Sequence, residues 1–132
     1  MKIPALKKPT LKEIQKRFTW VKSIESDIST TKATEFSFGT CLKPEESSIS
    51  GEEYEKRIKN YSPLGFQHLL WVEKNQDSIP ELKKLIEEDV WYIDFPVLVV
   101  VGGDGYRCVF CLNQSGKRWS VRWGWLGYGF AR

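Results

Sequence analysis

An α+β domain is the fold class this sequence predicts. Helices of the N-terminal and central regions pack as a single layer on an antiparallel or mixed sheet that ends in a tryptophan-rich β-meander. Three observations carry the prediction. Val97-Leu98-Val99-Val100-Val101 is an unbroken aliphatic run, suited to a strand covered on both faces. After it, Tyr106 to Leu112 and Arg118 to Trp125 alternate apolar and polar residues with period two, separated by turn-forming segments. Upstream, Thr10-Leu11-Lys12-Glu13, Ser50-Gly51-Glu52-Glu53 and Ser78-Ile79-Pro80-Glu81 each place a hydroxyl three residues before a glutamate, the pattern that opens a helix.

In chain order, residues 1–9 read as a mobile, basic, proline-punctuated arm. A short helix follows from Thr10, with Leu11, Ile14 and Phe18 on one stripe. Thr19 to Ile24 suits a strand, and the Ser- and Thr-rich stretch from Ser23 to Thr34 a loop. Glu35 to Phe38 alternates and predicts another short strand, ended by Gly39; Leu42 to Ser50 is the long polar loop. Helices are then expected from Ser50 to about Asn60, from Ser62 with Pro63 at its first position, and from Ser78 with Leu82, Leu85, Ile86 and Val90 as its apolar stripe. The chain forms one domain, 1–132, since about two-thirds of the unfolded surface of a chain this long is buried on folding.

The meander can be resolved into faces. Tyr106, Cys108, Phe110 and Leu112 point one way and Arg107, Val109 and Cys111 the other; Trp119, Val121, Trp123 and Trp125 oppose Arg118, Ser120 and Arg122. Two registers, Leu112 opposite Lys117 or a two-residue Ser115-Gly116 loop, both set the tryptophans beside the even-numbered apolar set. Trp119 and Trp123 are therefore expected in the core, and the arginines on the other face. A four-residue Gly102-Gly103-Asp104-Gly105 turn adds Leu98 and Val100 to the arginine face beside Val109, so part of that face needs cover.

Charge is unevenly spread. Residues 1–22 hold seven Lys and Arg against one Glu, residues 23–94 eight against fifteen acids, and residues 95–132 five against one Asp. Arg107 and Arg122 come close in either register, which calls for a counter-ion. Glu87, Glu88 and Asp89, unfavourably placed at a helix C-terminus, are the expected internal source, with an external anion the alternative.

Candidate chemistry is sparse. Cys108 and Cys111 have CxxC spacing, but an offset of three on a strand sends the two sulfurs to opposite faces, so neither zinc nor redox chemistry is expected. Three cysteines argue against a disulfide framework, and no run is long enough to span a bilayer; a cytoplasmic location is the expectation. His68, the single histidine, has no nucleophile placed beside it by sequence and reads as a surface or partly buried helix residue. No cofactor is expected.

What remains is a binding set. Arg107, Arg118 and Arg122 on the sheet and Tyr128 and Phe130 on an adaptable, glycine-spaced tail are the candidate contact residues. The functional expectation is a small non-catalytic protein-binding or accessory module. The alternatives are a nucleic-acid-binding module using the N-terminal arm and the last strand, and a small enzyme with dispersed acids.

Overall fold

The computed structural model describes residues 2–38, 43–46, 48–58, 64–126 and 130–131, and only the backbone of Ser48, Phe130 and Ala131. Its centre is a four-stranded antiparallel sheet of β2 (Val21–Asp27), β5 (Tyr92–Gly102), β6 (Arg107–Ser115) and β7 (Arg118–Trp125), in that spatial order. Two short ribbons flank it: β1 (Lys2–Ile3) with β3 (Thr34–Glu35), and β4 (Ser48–Ile49) with β8 (Phe130–Ala131). With helices α1 (Leu11–Arg17), α2 (Gly51–Ile58), α3 (Phe66–Lys74) and α4 (Pro80–Glu87), the class is α+β.

The helices divide between the two faces. Ile14 of α1, Phe66, Leu69 and Val72 of α3 and Leu82 of α4 join Phe95, Leu98, Val100, Phe110, Leu112, Trp119 and Val121 in the main core. Burying side chains of this size contributes about 1.5–3 kcal/mol each. On the opposite face Tyr54 of α2 and Ile49 pack with Val99, Val109 and Leu126 in a smaller core.

Local chemistry explains several element ends. Thr10 and Glu13 form the expected capping box at α1, and the Glu13 N–H donates to the Thr10 hydroxyl at 3.2 Å. Ser50 Oγ accepts from the Glu53 N–H at the start of α2. The expected start of α3 at Ser62 and Pro63 lies outside the described residues; Leu64 and Gly65 are not helical and the helix begins at Phe66. There His68 Nδ1 accepts from the Gly65 N–H at 2.8 Å, a cap supplied from within the first turn. At α4, Ser78 belongs to a preceding 3₁₀ turn and Pro80 occupies the first helical position.

Two expectations about the N-terminal third change. Residues 2–9 are docked: Ile3 is buried, the Leu6 N–H donates to Thr31 O, and Lys8 Nζ reaches Asp27 O at 2.8 Å. The strand starting near Thr19 runs through Asp27, and the predicted Glu35 to Phe38 strand is reduced to Thr34–Glu35. Pairing with β5 extends the first; among the described residues the second pairs only with the two-residue β1, and its apolar Phe36 is buried without a ladder.

The meander keeps its faces and changes its register. The β6–β7 turn is Gly116 and Lys117, closing Ser115 onto Arg118, and both turn residues have positive φ (58° and 65°). A two-residue loop of this kind matches the strand twist, and glycine enters the left-handed region without strain. Phe110 then faces Trp123 and Cys111 faces Arg122. At the other turn, Gly102 N donates to Tyr106 O, leaving three residues in the loop rather than four. That odd count puts Val100 opposite Cys108, so Leu98 and Val100 lie in the main core and not on the arginine face.

Pro96 lies inside β5, at a break in its pairing with β6. Phe95 pairs with Phe110 and Val99 with Val109, so residues 96–98 are extra on β5. Proline is tolerated at such a bulge because the ladder there needs no N–H. Three extra residues also reverse the facing: Phe95 and Leu98 both reach the main core, while Val99 turns to the smaller one.

Candidate functional site

The helices of the main face do not cover all of it. Trp119, Val121, Trp123 and Trp125 share one side of β7 by alternation, and α3 and α4 cover the first two. Trp119 is 2% exposed and its Nε1 donates to Leu82 O. Trp123 is 40% exposed, which overturns its expected place in the core: the strand runs on past the helices.

Trp20 completes this open end. It sits in the turn between α1 and β2, fixed where the Gly103 N–H donates to Trp20 O at 3.1 Å. A Cβ on Gly102 would stand 3.3 Å from the Trp20 ring and 2.9 Å from Asp104 Oδ1, so a glycine there lets the indole lie against the strand end. The rings form a connected row. Trp20 and Trp123 have centroids 4.8 Å apart at 53°, Trp123 and Trp125 5.7 Å at 64°, and Tyr106 and Trp125 6.0 Å at 53°. Phe18 and Phe110 support Trp20 from the core side.

Neighbouring rings are therefore inclined rather than parallel, and the three tryptophans wall a concave basin of about 420 Å³ with Cys108, Asp104, Gly102 and Gly103. Asp104 is its single charged residue among the described ones. One oxygen of that carboxylate accepts from the Tyr106 N–H, and Asp104 forms no ion pair among the described residues. Burial, with Asp104 nearby, pushes the Cys108 thiol up to about 11, so it is no nucleophile near neutral pH.

The edge of β7 changes character along the same line. Its outward N–H at Trp119 donates to Gln76 Oε1 and that at Val121 to Glu73 Oε2, while Gln76 Nε2 donates to Trp119 O. Side chains thus occupy the edge as a further strand would. Two residues on, the Trp123 N–H points outward by the same alternation and is met by no such side chain among the described residues.

The opposite face is closed by contrast. Arg107 clamps Glu25 of β2 with both Nε and Nη2, at 2.9 and 2.7 Å, and Glu55 of α2 at 2.6 Å. Next along, Asp94, Cys111 and Arg122 form one cross-strand row. Burial pushes the Asp94 carboxyl up to about 6, against the pull of its hydrogen bond with Tyr54. Burial and the neighbouring Asp94 push the Cys111 thiol up to about 12.

These positions separate the sequence-derived candidates. Arg107 and Arg118 stand at opposite ends of the β6–β7 hairpin, about eight residues or ~27 Å apart. Arg118 pairs with Asp77 at 2.8 Å, at the mouth of a second cleft of about 530 Å³ whose charges are of both signs. Arg122 donates to Val121 O and lies four pairs from Arg107, so the expected clash between them does not arise. Arg107 does take its counter-ions from the acidic middle of the chain, but they are Glu25 and Glu55 in place of Glu87, Glu88 or Asp89. Tyr128 lies outside the described residues, and the backbone of Phe130 pairs with Ile49.

His68 is fully buried rather than at the helix surface, and burial lowers its pKa. Beside it Gln67 Nε2 donates to Ser29 Oγ, and Ser29 Oγ donates to Asp27 at 2.6 Å. The hydroxyl is thus spent on a carboxylate, and His68 accepts the Gly65 N–H through Nδ1 while its buried Nε2 meets no hydrogen-bond partner among the described residues, so Ser29 and His68 do not form a nucleophile–base pair. Cys108 and Cys111 fall on opposite faces. Among the described residues no three metal-ligating side chains gather, and no helix is long and apolar enough to cross a membrane.

Trp20 and Asp104 are the basin residues that sequence reasoning missed. Asp104 reads locally as a turn residue, and only the pairing of β2 with β5 brings Trp20 to that turn. No protein-family model, no curated protein and no solved structure matches this chain.

Proposed function

We propose that this chain is a non-catalytic binding module for another protein, with the aromatic basin at the open end of the main face as its working surface. One observation carries the reading: Trp123, exposed yet held between Trp20 and Trp125 over a concavity of about 420 Å³. A large exposed ring fixed by its neighbours offers contact area at little entropic cost, the property of residues that anchor interfaces. The adjoining β7 edge supports a polypeptide partner, because an outward N–H there is matched by the carbonyl of an added strand. The arginines support a nucleic-acid role less well, since Arg107 and Arg118 are already engaged by carboxylates at distant points.

A random-peptide display selection on the wild-type chain tests this. Selected peptides should lose at least about tenfold in affinity for the Trp123→Ala variant and change little between low and high salt. Peptides that bind the variant equally well would remove the basin from the reading. Binding confined to polynucleotides, weakening steeply with salt, would favour the nucleic-acid alternative.

A further inference from the structure

Resting on that reading, we propose that the basin receives the N-methylated ammonium of a lysine side chain, presented by an extended polypeptide laid along the β7 edge at Trp123. Three features argue for this occupant. Three of the basin's lining residues are tryptophans, whose ring faces carry negative potential and attract a cation set over them. Adjacent rings meet at 53° and 64°, so they enclose a rounded group better than they stack a flat base or guanidinium. Among the described residues, the one charged group lining the basin, Asp104, is acidic and has no cationic partner.

Methylation follows from the shortage of acceptors. A bare ammonium carries three N–H donors and a strong hydration shell, and one turn carboxylate beside apolar rings cannot replace that shell. A trimethylammonium keeps the charge, presents C–H groups to the rings and has no donor to satisfy. The polypeptide follows from the edge. Gln76 and Glu73 occupy β7 at Trp119 and Val121 and leave it at Trp123, beside the basin mouth. A strand added there would place alternate side chains on the basin side.

The test follows the tryptophan indole N–H signals by NMR during titration with four probes. These are a short peptide carrying one trimethyllysine, the same peptide with lysine, the same peptide with the uncharged tert-butyl analogue, and free choline. The trimethyllysine peptide should shift the Trp20 and Trp123 signals and bind about tenfold more tightly than the other three. Asp104→Asn should weaken it about threefold and Trp123→Ala at least tenfold, with the remaining spectrum unchanged. Equal binding of the uncharged analogue would show that shape, not charge, is read and would overturn the proposal. Choline binding as tightly as the peptide would overturn the polypeptide. If peptides bind through Trp123 with no gain from methylation, the binding-module reading stands and this inference falls.

Discussion

Trp119 and Trp123 lie four residues apart on one strand and one face, and they end in different surroundings. Trp119 is sealed beneath α4 with its indole N–H bonded to Leu82 O; Trp123 stands at the mouth of a basin. Alternation along a strand decides which side a residue takes, but the reach of the covering helices decides whether that side is core. The same contrast runs along the sheet edge, occupied by Gln76 and Glu73 at Trp119 and Val121 and met by no such side chain among the described residues at Trp123.

The largest expected effect tests the sealed end. Trp119→Ala should cost about 3–5 kcal/mol in denaturant titration, the usual loss for a buried aromatic truncated in a packed core. A cost near that of an exposed residue would erase the contrast.

Asp94→Asn comes next. The folded pKa of about 6 lies above the ordinary 3.8, so between about pH 4 and 6 the native chain holds a proton that the unfolded chain releases. Stability contributed at this site is complete below pH 4, falls as pH rises through 6, and is flat beyond. The full swing is about 3 kcal/mol. The asparagine variant should lose that slope and gain stability at pH 7. His68 is shifted the other way, its burial lowering its pKa from 6.5, so the difference between wild type and variant across pH isolates the carboxyl.

Arg107→Ala should cost about 1 kcal/mol at low salt and less at high salt, because the three-way pair with Glu25 and Glu55 is half exposed and screened. A salt-independent loss would mean that Arg107 acts through packing. Trp123→Ala should be the mildest for stability, about 1 kcal/mol or less, since the ring is 40% exposed and packs at the open rim against Trp20 and Trp125. A loss matching that of Trp119 would return Trp123 to the core and remove the basin as a site.

The sequence made legible what rests on local chemistry. Thr10 with Glu13 and Ser50 with Glu53 open helices where their hydroxyls reach a backbone N–H, and the parity of Cys108, Phe110 and Trp119 puts them on one face in any odd-sum register. What escaped rests on long-range packing. The start of α3 at Phe66 depends on the His68 side chain turning back to Gly65, which no pattern of apolar residues encodes. A loop shorter by one residue moved Leu98 and Val100 to the other face, and the exposure of Trp123 follows from where α3 and α4 stop. The basin was invisible because Trp20 and Asp104, 84 positions apart, meet only through β2–β5 pairing.

The three surplus residues of β5 have a consequence for fidelity in folding. From Val97 to Val101 every side chain is aliphatic, so sliding this stretch by one residue would still present hydrocarbon to both cores. The run carries no penalty against being read out of frame; in an ordinary amphipathic strand a single slip buries polar groups and is rejected at once. Proofreading must therefore come from the ends. Phe95 has to find Phe110 on one side, and Gly102 has to meet Tyr106 and Trp20 on the other. Loosening either anchor should not unfold the strand but license a second frame, a misaligned isomer with both cores still oily and neither one well filled.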